Sequence, residues 1–361
     1  DNSELKTAGR ALGQALRALH DAGLMQKDAH LGNFLYREAS VCVIDGAAIV
    51  SSGPLLRSWR QLQNLALVLA QLSVYHGGFA EAVLSGYGSR FSPPQVSRAL
   101  QRQRGRRERK YMRKTLRNCS EFKATHQFRL RRIVRRDQQE DQGLQALLAD
   151  LDGAIAAGEP LKLGNSATLV KIRPADRWLV IKRYNIKSPW HRLKRLLRVT
   201  RAARSWQNGY RLSMWGLATP LPLALVEHRF GPLKGKSYLI CEYSSLVDCG
   251  EYPQSQPGEN GEEQTLIRAL GTTVAALKIL GVSHGDLKAS NLKFNGNFLQ
   301  LLDLDSVTRW RSKRRLEQAI QRDCQRLLRN WEDAPQFVQQ LAHGLEAHLI
   351  RPGELTGFIN P

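Results

Sequence analysis

The stretch SHGDLKASNLKFNGNFLQLLDLDS, residues 283–306, sets three aspartates, two lysines and three asparagines among short apolar runs. Asp286, Asn291 and Asp303 stand in it at offsets of +5 and +17 from the first. The apolar runs LKF and FLQLL read as two short strands joined by the turn NGN. Asp286 and Asn291 precede them on a loop, and Asp303 closes the second strand. An amphipathic helix is predicted over 264–280, ending at Gly281, because helices commonly stop at a glycine.

A second stretch, GLMQKDAHLGNFLYREASVCVIDGAAI at 23–49, superposes on the first without a gap at a constant offset of 258. Asp28 falls on Asp286, Asn33 on Asn291 and Asp45 on Asp303. Gly13, Leu19 and Gly23 fall on Gly271, Leu277 and Gly281. Phe34, Tyr36, Val43 and Ile44 meet apolar partners, whereas Leu35 meets Lys293. Chance can supply one D-x-x-x-x-N; two copies sharing three polar offsets and an apolar frame indicate an internal repeat. About 100 residues precede the second copy after the first has ended. They contain strand candidates at 161–172, 177–184 and 236–243, and a long basic helix is predicted from Trp190 to about Met214. Only 22 residues precede the first copy.

At 361 residues the chain has room for about two to three domains. Lys and Arg outnumber Asp and Glu 54 to 32, a formal charge of +22. That surplus predicts an anionic partner: nucleic acid, acidic lipid or a phosphorylated substrate. Five cysteines (Cys42, Cys119, Cys241, Cys249, Cys324) form no C-x-x-C pair. They point to a reducing compartment rather than to a disulfide framework or a zinc ribbon. No signal peptide is visible, and no apolar run approaches the ~20 residues a membrane helix needs.

A carboxylate at a strand end and a carboxamide on a nearby loop can offer hard oxygen ligands to Mg²⁺, with phosphates and water completing the shell. A second carboxylate beside them can orient a hydroxyl and take its proton. Phosphoryl transfer needs that set and a lysine for the nucleotide phosphates. Kinase catalytic loops space their Asp and Asn by five, as here. Lys182, in the strand LVIKRY, has the setting of the kinase strand lysine. Glu242, in ICEY, ends the next strand where a hinge would meet adenine. Taken singly, Lys182 also suits a strand edge, Lys288 a solvated loop and Asp305 a structural role.

With these residues in view, the second half resembles the lipopolysaccharide core kinase family, which phosphorylates heptose or Kdo sugars and has a protein-kinase-like fold. HGDLKASNL and LLDLD resemble its catalytic loop and metal site. VIKRYN, followed by RAARSWQNGYRLSMWGLATPLPLALVE, resembles its small lobe. RKYMRKTLRNCSEF, at 109–122, resembles a basic segment of tandem proteins in this family, and KDAHLGN resembles the loop of aminoglycoside and choline kinases.

The resemblance implies an α+β, bilobal kinase-like domain over 155–361, with its small lobe at about 160–245 and its large lobe at about 246–350. It implies that 1–150 is a further kinase-like large lobe without its small lobe, degenerate or truncated. It casts Asp286 as base or orienting carboxylate, Lys288 at the transferred phosphoryl group, Asn291 and Asp303 as Mg²⁺ ligands, and Lys182 at the ATP phosphates. His284 takes the place of the structural histidine of H-R-D. Three departures stand out. The glycine-rich loop is reduced to KLGNSAT, so Gly164 and Ser166 must cover the nucleotide from a short hairpin. The helix that should give Lys182 a glutamate reads RSWQNGY and has none. D-F-G has become Asp303-Leu304-Asp305. In the first copy, Asp28, Asn33 and Asp45 lack a strand lysine and a nucleotide roof, with His30 in place of Lys288.

The implied activity is ATP-dependent phosphorylation of a sugar hydroxyl of the lipopolysaccharide inner core. Its implied setting is the cytoplasm, peripheral at the anionic inner-membrane surface. An inactive pseudokinase or scaffold in envelope biogenesis and a RIO-type protein kinase are the rival readings. The charge run at 102–117 has Tyr111 as its only aromatic, which suits base stacking poorly and makes nucleic acid the weaker partner. The basic helix at 190–206, with Leu193, Leu196 and Leu197 on one side, suits an anionic membrane, a phosphorylated glycolipid or plain lobe packing.

Overall fold

The computed structural model describes residues 2–51, 58–164, 166–185, 199–231, 233–251 and 260–350. The chain divides into two compact units, with the break between Lys110 and Tyr111.

In the first unit, α1 (Asn2–Asp21) leads into β1 (Leu24–Gln26), β2 (Phe34–Arg37), β3 (Ser40–Val43) and β4 (Ile49–Ser51). Strand β1 pairs with β4 and β2 with β3, both antiparallel. Three helices follow: α2 (Ser58–Leu69), α3 (Gly77–Tyr87) and α4 (Pro93–Lys114), whose last residues belong to the second unit. Leu12 and Leu16 of α1 share a core with Leu65, Val68 and Leu69 of α2 and with Val83 and Tyr87 of α3.

The second unit begins with β5 (Phe122–His126), β6 (Leu130–Arg135), α5 (Gln142–Ala149) and α6 (Leu151–Ala157). It continues through β7 (Glu159–Leu163), β8 (Ala167–Ile172), β9 (Leu179–Tyr184), α7 (Arg201–Met214), β10 (Pro222–Phe230) and β11 (Leu233–Glu242). The strands form one antiparallel sheet in the order β5-β6-β10-β11-β9-β8-β7. Alternation along each strand divides the core between the two faces. Val134, Ala224, Val226, Tyr238 and Ile240 pack with Leu144, Leu147, Leu151 and Ile155 of α5 and α6. Ile133, Leu225 and Leu239 point the other way, onto Ala203, Trp206 and Tyr210 of α7.

This sheet moves the expected boundary. Residues 111–150, assigned from sequence to the first domain, instead supply two strands and a helix of the second unit's sheet layer. The run LRRIVR hides the strand: only Ile133 and Val134 are fully buried, and Arg131 reaches Glu227 at 3.0 Å. The basic helix is also corrected. Thr200 is extended, and its hydroxyl caps the Ala203 N–H, so α7 starts afresh at Arg201 and the expected helix is not continuous through Thr200; its stretch at 190–198 lies outside the described residues. Arg192, Arg195 and Arg198 lie outside the described residues.

The remainder comprises β12 (Val247–Asp248), α8 (Asn260–Leu280), β13 (Val282–Ser283), β14 (Leu292–Phe294), β15 (Leu299–Leu301), β16 (Thr308–Arg309), α9 (Lys313–Leu328) and α10 (Pro335–Ile350). Strand β13 pairs with β16, and β14 lies between β12 and β15. Among the described residues no helix is long and apolar enough to cross a membrane.

Candidate active site

The loop carrying Asp286 is held from three directions. The His284 side chain, fully buried, meets the Leu302 carbonyl through Nε2 at 2.9 Å, and the Leu302 N–H donates to the Asn291 carbonyl at 2.8 Å. Loop and strand end are thus tied twice. Because the Leu302 carbonyl can only accept, Nε2 carries a proton and donates; burial lowers the His284 pKa despite the nearby Asp323 carboxylate. From α9, Asp323 accepts the backbone N–H of His284 at 2.7 Å and that of Gly285 at 3.0 Å, while only 2% exposed. Gly285 has φ +81°, and a Cβ there would sit 2.7 Å from the Ser306 carbonyl oxygen. Only glycine lets the loop pass that close to the strand-end turn.

Asp286 is thereby half-exposed and surrounded by donors. The Asn291 side-chain amide reaches its carbonyl at 2.8 Å and its Oδ2 at 3.2 Å. Lys288 Nζ lies 3.6 Å from Oδ2, and Arg326 of α9 lies 3.3 Å from Oδ1. With its NH₂ turned to Asp286, Asn291 keeps Oδ1 as the atom it can offer a cation.

Asp303 adopts left-handed backbone, φ 53° and ψ 59°, which brings its side chain to the second piece of the site. Lys182 Nζ of β9 donates to Asp303 Oδ1 at 2.5 Å and lies 3.9 Å from Asp305 Oδ2. Burial disfavours the Lys182 ammonium, but Tyr184, Asp303 and Asp305 outweigh it and hold its pKa above the ordinary lysine value. Burial likewise disfavours the Asp303 carboxylate, and the charge and hydrogen bond of Lys182, with Arg201 behind it, hold its pKa below the usual value.

In place of the absent helix glutamate stands an inverted pair. Asp305, 5% exposed, stands beside Lys182, and α7 supplies a cation: Arg201 Nε reaches Asp305 Oδ2 at 2.8 Å. Arg201 Nη1 also reaches the Ser166 carbonyl at 3.4 Å, and both cations lie 5.0 Å from the Tyr184 ring. Asn208, further along α7, donates to the carbonyls of Leu304 and Val307 at 2.8 and 3.1 Å. One helix therefore braces the strand lysine, the strand-end carboxylates and the β7–β8 turn.

The remaining expected residues sit at the edges. Gly164 and Ser166 form the β7–β8 turn, and the Gly164 N–H closes that turn on the Ala167 carbonyl at 3.1 Å. The Asn185 N–H and side-chain amide reach the carbonyls of Ser166 and Gly164, each at 3.2 Å. Glu242 ends β11 with its side chain exposed, and its N–H donates to the Leu221 carbonyl at 3.3 Å. Among the described residues no three histidine, cysteine, aspartate or glutamate side chains cluster as a metal cage. A pair such as Asn291 and Asp303 suits Mg²⁺, which takes one or two protein oxygens and draws the others from phosphate and water.

Asp28, Asn33 and Asp45 lie in the first unit, in similar local bonding. Asn33 donates to the Asp28 carbonyl at 2.9 Å, the Ile44 N–H donates to the Asn33 carbonyl at 2.9 Å, and Asp45 is left-handed at φ 61°. Gln26, at the place of His284, donates to the Ile44 carbonyl at 3.2 Å. What differs is the clamp. At the same sequence offset of 258, Leu65 falls on Asp323 and Lys27 on Gly285, and the Lys27 N–H turns to the Ala48 carbonyl at 2.8 Å. Asp323, Arg326 and Arg201 were missed by the sequence reading. The only signal for Asp323 was an acid on the apolar side of a helix.

The family model for the lipopolysaccharide kinase (Kdo/WaaP) family matches residues 166–347. No curated protein matches the chain. A similar solved structure is WaaP in complex with acyl carrier protein, 17% identical, with a TM-score of 0.42, covering 58% of this chain and 88% of that one. The matched residues run from the β7–β8 turn into α10 and take in Lys182, Asp286 and Asp303. The chain belongs to the lipopolysaccharide kinase (Kdo/WaaP) family and is a kinase.

Proposed function

We propose that the second unit transfers the γ-phosphoryl group of ATP to a sugar hydroxyl of the lipopolysaccharide inner core, in the cytoplasm at the anionic surface of the inner membrane. The observation that carries this reading is the 2.5 Å contact between Lys182 Nζ and Asp303 Oδ1, which joins a phosphate-binding cation to a cation-binding carboxylate. Lys182 turns to the ATP phosphates, while Asp305 keeps a carboxylate beside its ammonium. Ser166, Gly164 and Glu242 border the nucleotide. Asn291 and Asp303 would hold Mg²⁺, which when bound would supply charge neutralisation at the phosphates.

Asp286 accepts the hydroxyl proton as the sugar oxygen forms its bond to the γ-phosphorus and the bond to the leaving ADP oxygen breaks. Lys288, beside Asp286, meets the transferred group. Because Asp286 is fixed by Asn291 and by the clamped loop, its contribution is mainly orientation. The first unit is read as an additional kinase-like large lobe that has lost its chemistry, supported by its matching contacts and by Leu65 and His30 in place of Asp323 and Lys288.

The test is transfer of labelled phosphate from ATP to purified core oligosaccharide. Asp286→Asn should bind nucleotide but stop transfer, and Asp303→Asn should remove Mg²⁺-dependent turnover. Full activity in either variant refutes the assignment.

A further inference from the structure

Two neighbouring turns of the second unit's sheet expose apolar side chains. The β5–β6 turn presents Phe128, 63% exposed, and the β10–β11 turn presents Phe230 and Leu233, 56% and 42% exposed. The two rings meet edge to face with centroids 4.9 Å apart. The Arg229 N–H donates to the Arg129 carbonyl at 2.9 Å, and the Gly231 N–H to the Phe128 carbonyl at 3.3 Å. The turns therefore form one ridge. Either could close on the small polar residues that turns favour, so the fold itself does not call for phenylalanine at both.

The surroundings are cationic. Residues 122–131 and 228–236 carry Lys123, Arg129, Arg131, Arg229, Lys234 and Lys236, with no aspartate or glutamate, and of these Lys236 is paired with Asp152 at 3.2 Å. The adjoining Glu227 is buried and taken by Arg131. The ridge also has a definite place. Arg131, Glu227, Ser237, Tyr184 and Ala167 pair in one row across the sheet. The two turns lie beyond that row at the same end as Gly164 and Ser166, where Leu163 is 75% exposed.

We propose that the Phe128–Phe230 ridge docks this protein peripherally on an anionic lipid bilayer. The rings and Leu233 enter the boundary between headgroups and acyl chains, where aromatic side chains are favoured. Arg129, Arg229 and Lys234 face the lipid phosphates, whose negative potential attracts basic residues within a Debye length. A soluble polyanion would engage the cations and leave the rings in water, so the apolar ridge favours the bilayer. The value of such docking to the enzyme rests on the lipid-anchored acceptor proposed above; the docking itself does not.

The experiment is flotation of the full chain with phosphatidylcholine vesicles, with and without phosphatidylglycerol, at low and high salt. The wild type should float only with the anionic vesicles, and less at high salt. Phe128→Ser with Phe230→Ser should weaken binding about tenfold per ring, given their partial exposure. Arg129→Gln with Lys234→Gln should weaken it about fivefold per site and flatten the salt dependence. Wild type that stays with no vesicle, or variants that float as it does, would overturn the proposal. Transfer to delipidated core oligosaccharide, read in parallel, should be unchanged in both double variants, because neither touches the reacting set. Absence of that transfer in the wild type would sink the kinase substrate reading and leave the vesicle result standing.

Discussion

Replacing Asp323 by Asn tests whether the catalytic loop is held from behind. The Asp323 carboxylate receives two backbone N–H groups, from His284 at 2.7 Å and from Gly285 at 3.0 and 3.1 Å, in a place closed to water. Hydrogen bonds to a charged partner contribute about 1.5–3 kcal/mol each, roughly twice the neutral value. Asn keeps one acceptor and turns its NH₂ toward the other donor, so the change should cost about 2–4 kcal/mol. In a unit of this size that corresponds to about 5–10 °C in Tm. The larger consequence is positional. Gly285 and Asp286 would lose their anchor, and if Asp286 is the reacting carboxylate, as proposed, a displacement of ~1 Å there lowers turnover on the order of 10²-fold. The KM for ATP should move little, because Lys182 and the β7–β8 turn do not touch Asp323. Steady-state kinetics with core oligosaccharide, beside thermal unfolding, would read both effects. A lowered Tm with kcat within about threefold of wild type would refute the clamp and leave Asp323 as a stabilising residue only.

Asp305→Asn should raise the KM for ATP about tenfold with a smaller change in kcat, and Arg201→Met should act in the same direction; because the two residues are in contact, the double variant should fall short of the sum, and strict additivity would show that they do not act together. The fold should lose stability as pH falls below the ordinary histidine value of 6.5, because the unfolded chain then takes a proton that the buried, pKa-lowered His284 refuses; His284→Gln should flatten that slope in chemical denaturation curves. The Lys182–Asp303 pair works at the extremes. The stabilisation from Asp303 is present above its ordinary value of 3.8 and disappears as pH falls through its lowered pKa, while that from Lys182 is full below 10.5 and disappears above its raised one, so Lys182→Met should remove both limbs. Asp45→Ala in the first unit should leave turnover nearly unchanged, and a collapse of turnover in that variant, still folded, would mean that the two units cooperate.

How much of this was legible in the sequence depends on the range of the interaction. The offsets joining Asp286, Asn291 and Asp303 are local, and so are the glycines that end α1 and α8 and the alternation in LVIKRY. The stretches at 23–49 and 283–306 therefore specify a loop, a two-stranded turn and a carboxylate at a strand end by local pattern alone. Local pattern also located Lys182. It failed where charge masked burial. LRRIVR reads as a solvated basic run, and it becomes a strand only because Ile133 and Val134 find a core on opposite faces of a sheet whose neighbouring strand lies about 90 residues away.

The long-range partners belong to the tertiary structure alone. No spacing rule connects Arg201 with Asp305 across 104 positions or Asp323 with His284 across 39. An unpaired charge in such dry surroundings would be costly, so the fold places a countercharge or a donor there, and which residue supplies it depends on how the elements pack. Local sequence pattern pointed to the groups proposed to carry phosphoryl chemistry. Packing decided how they are held: a carboxylate from the strand end and an arginine from the helix serve Lys182 where a helix glutamate was expected.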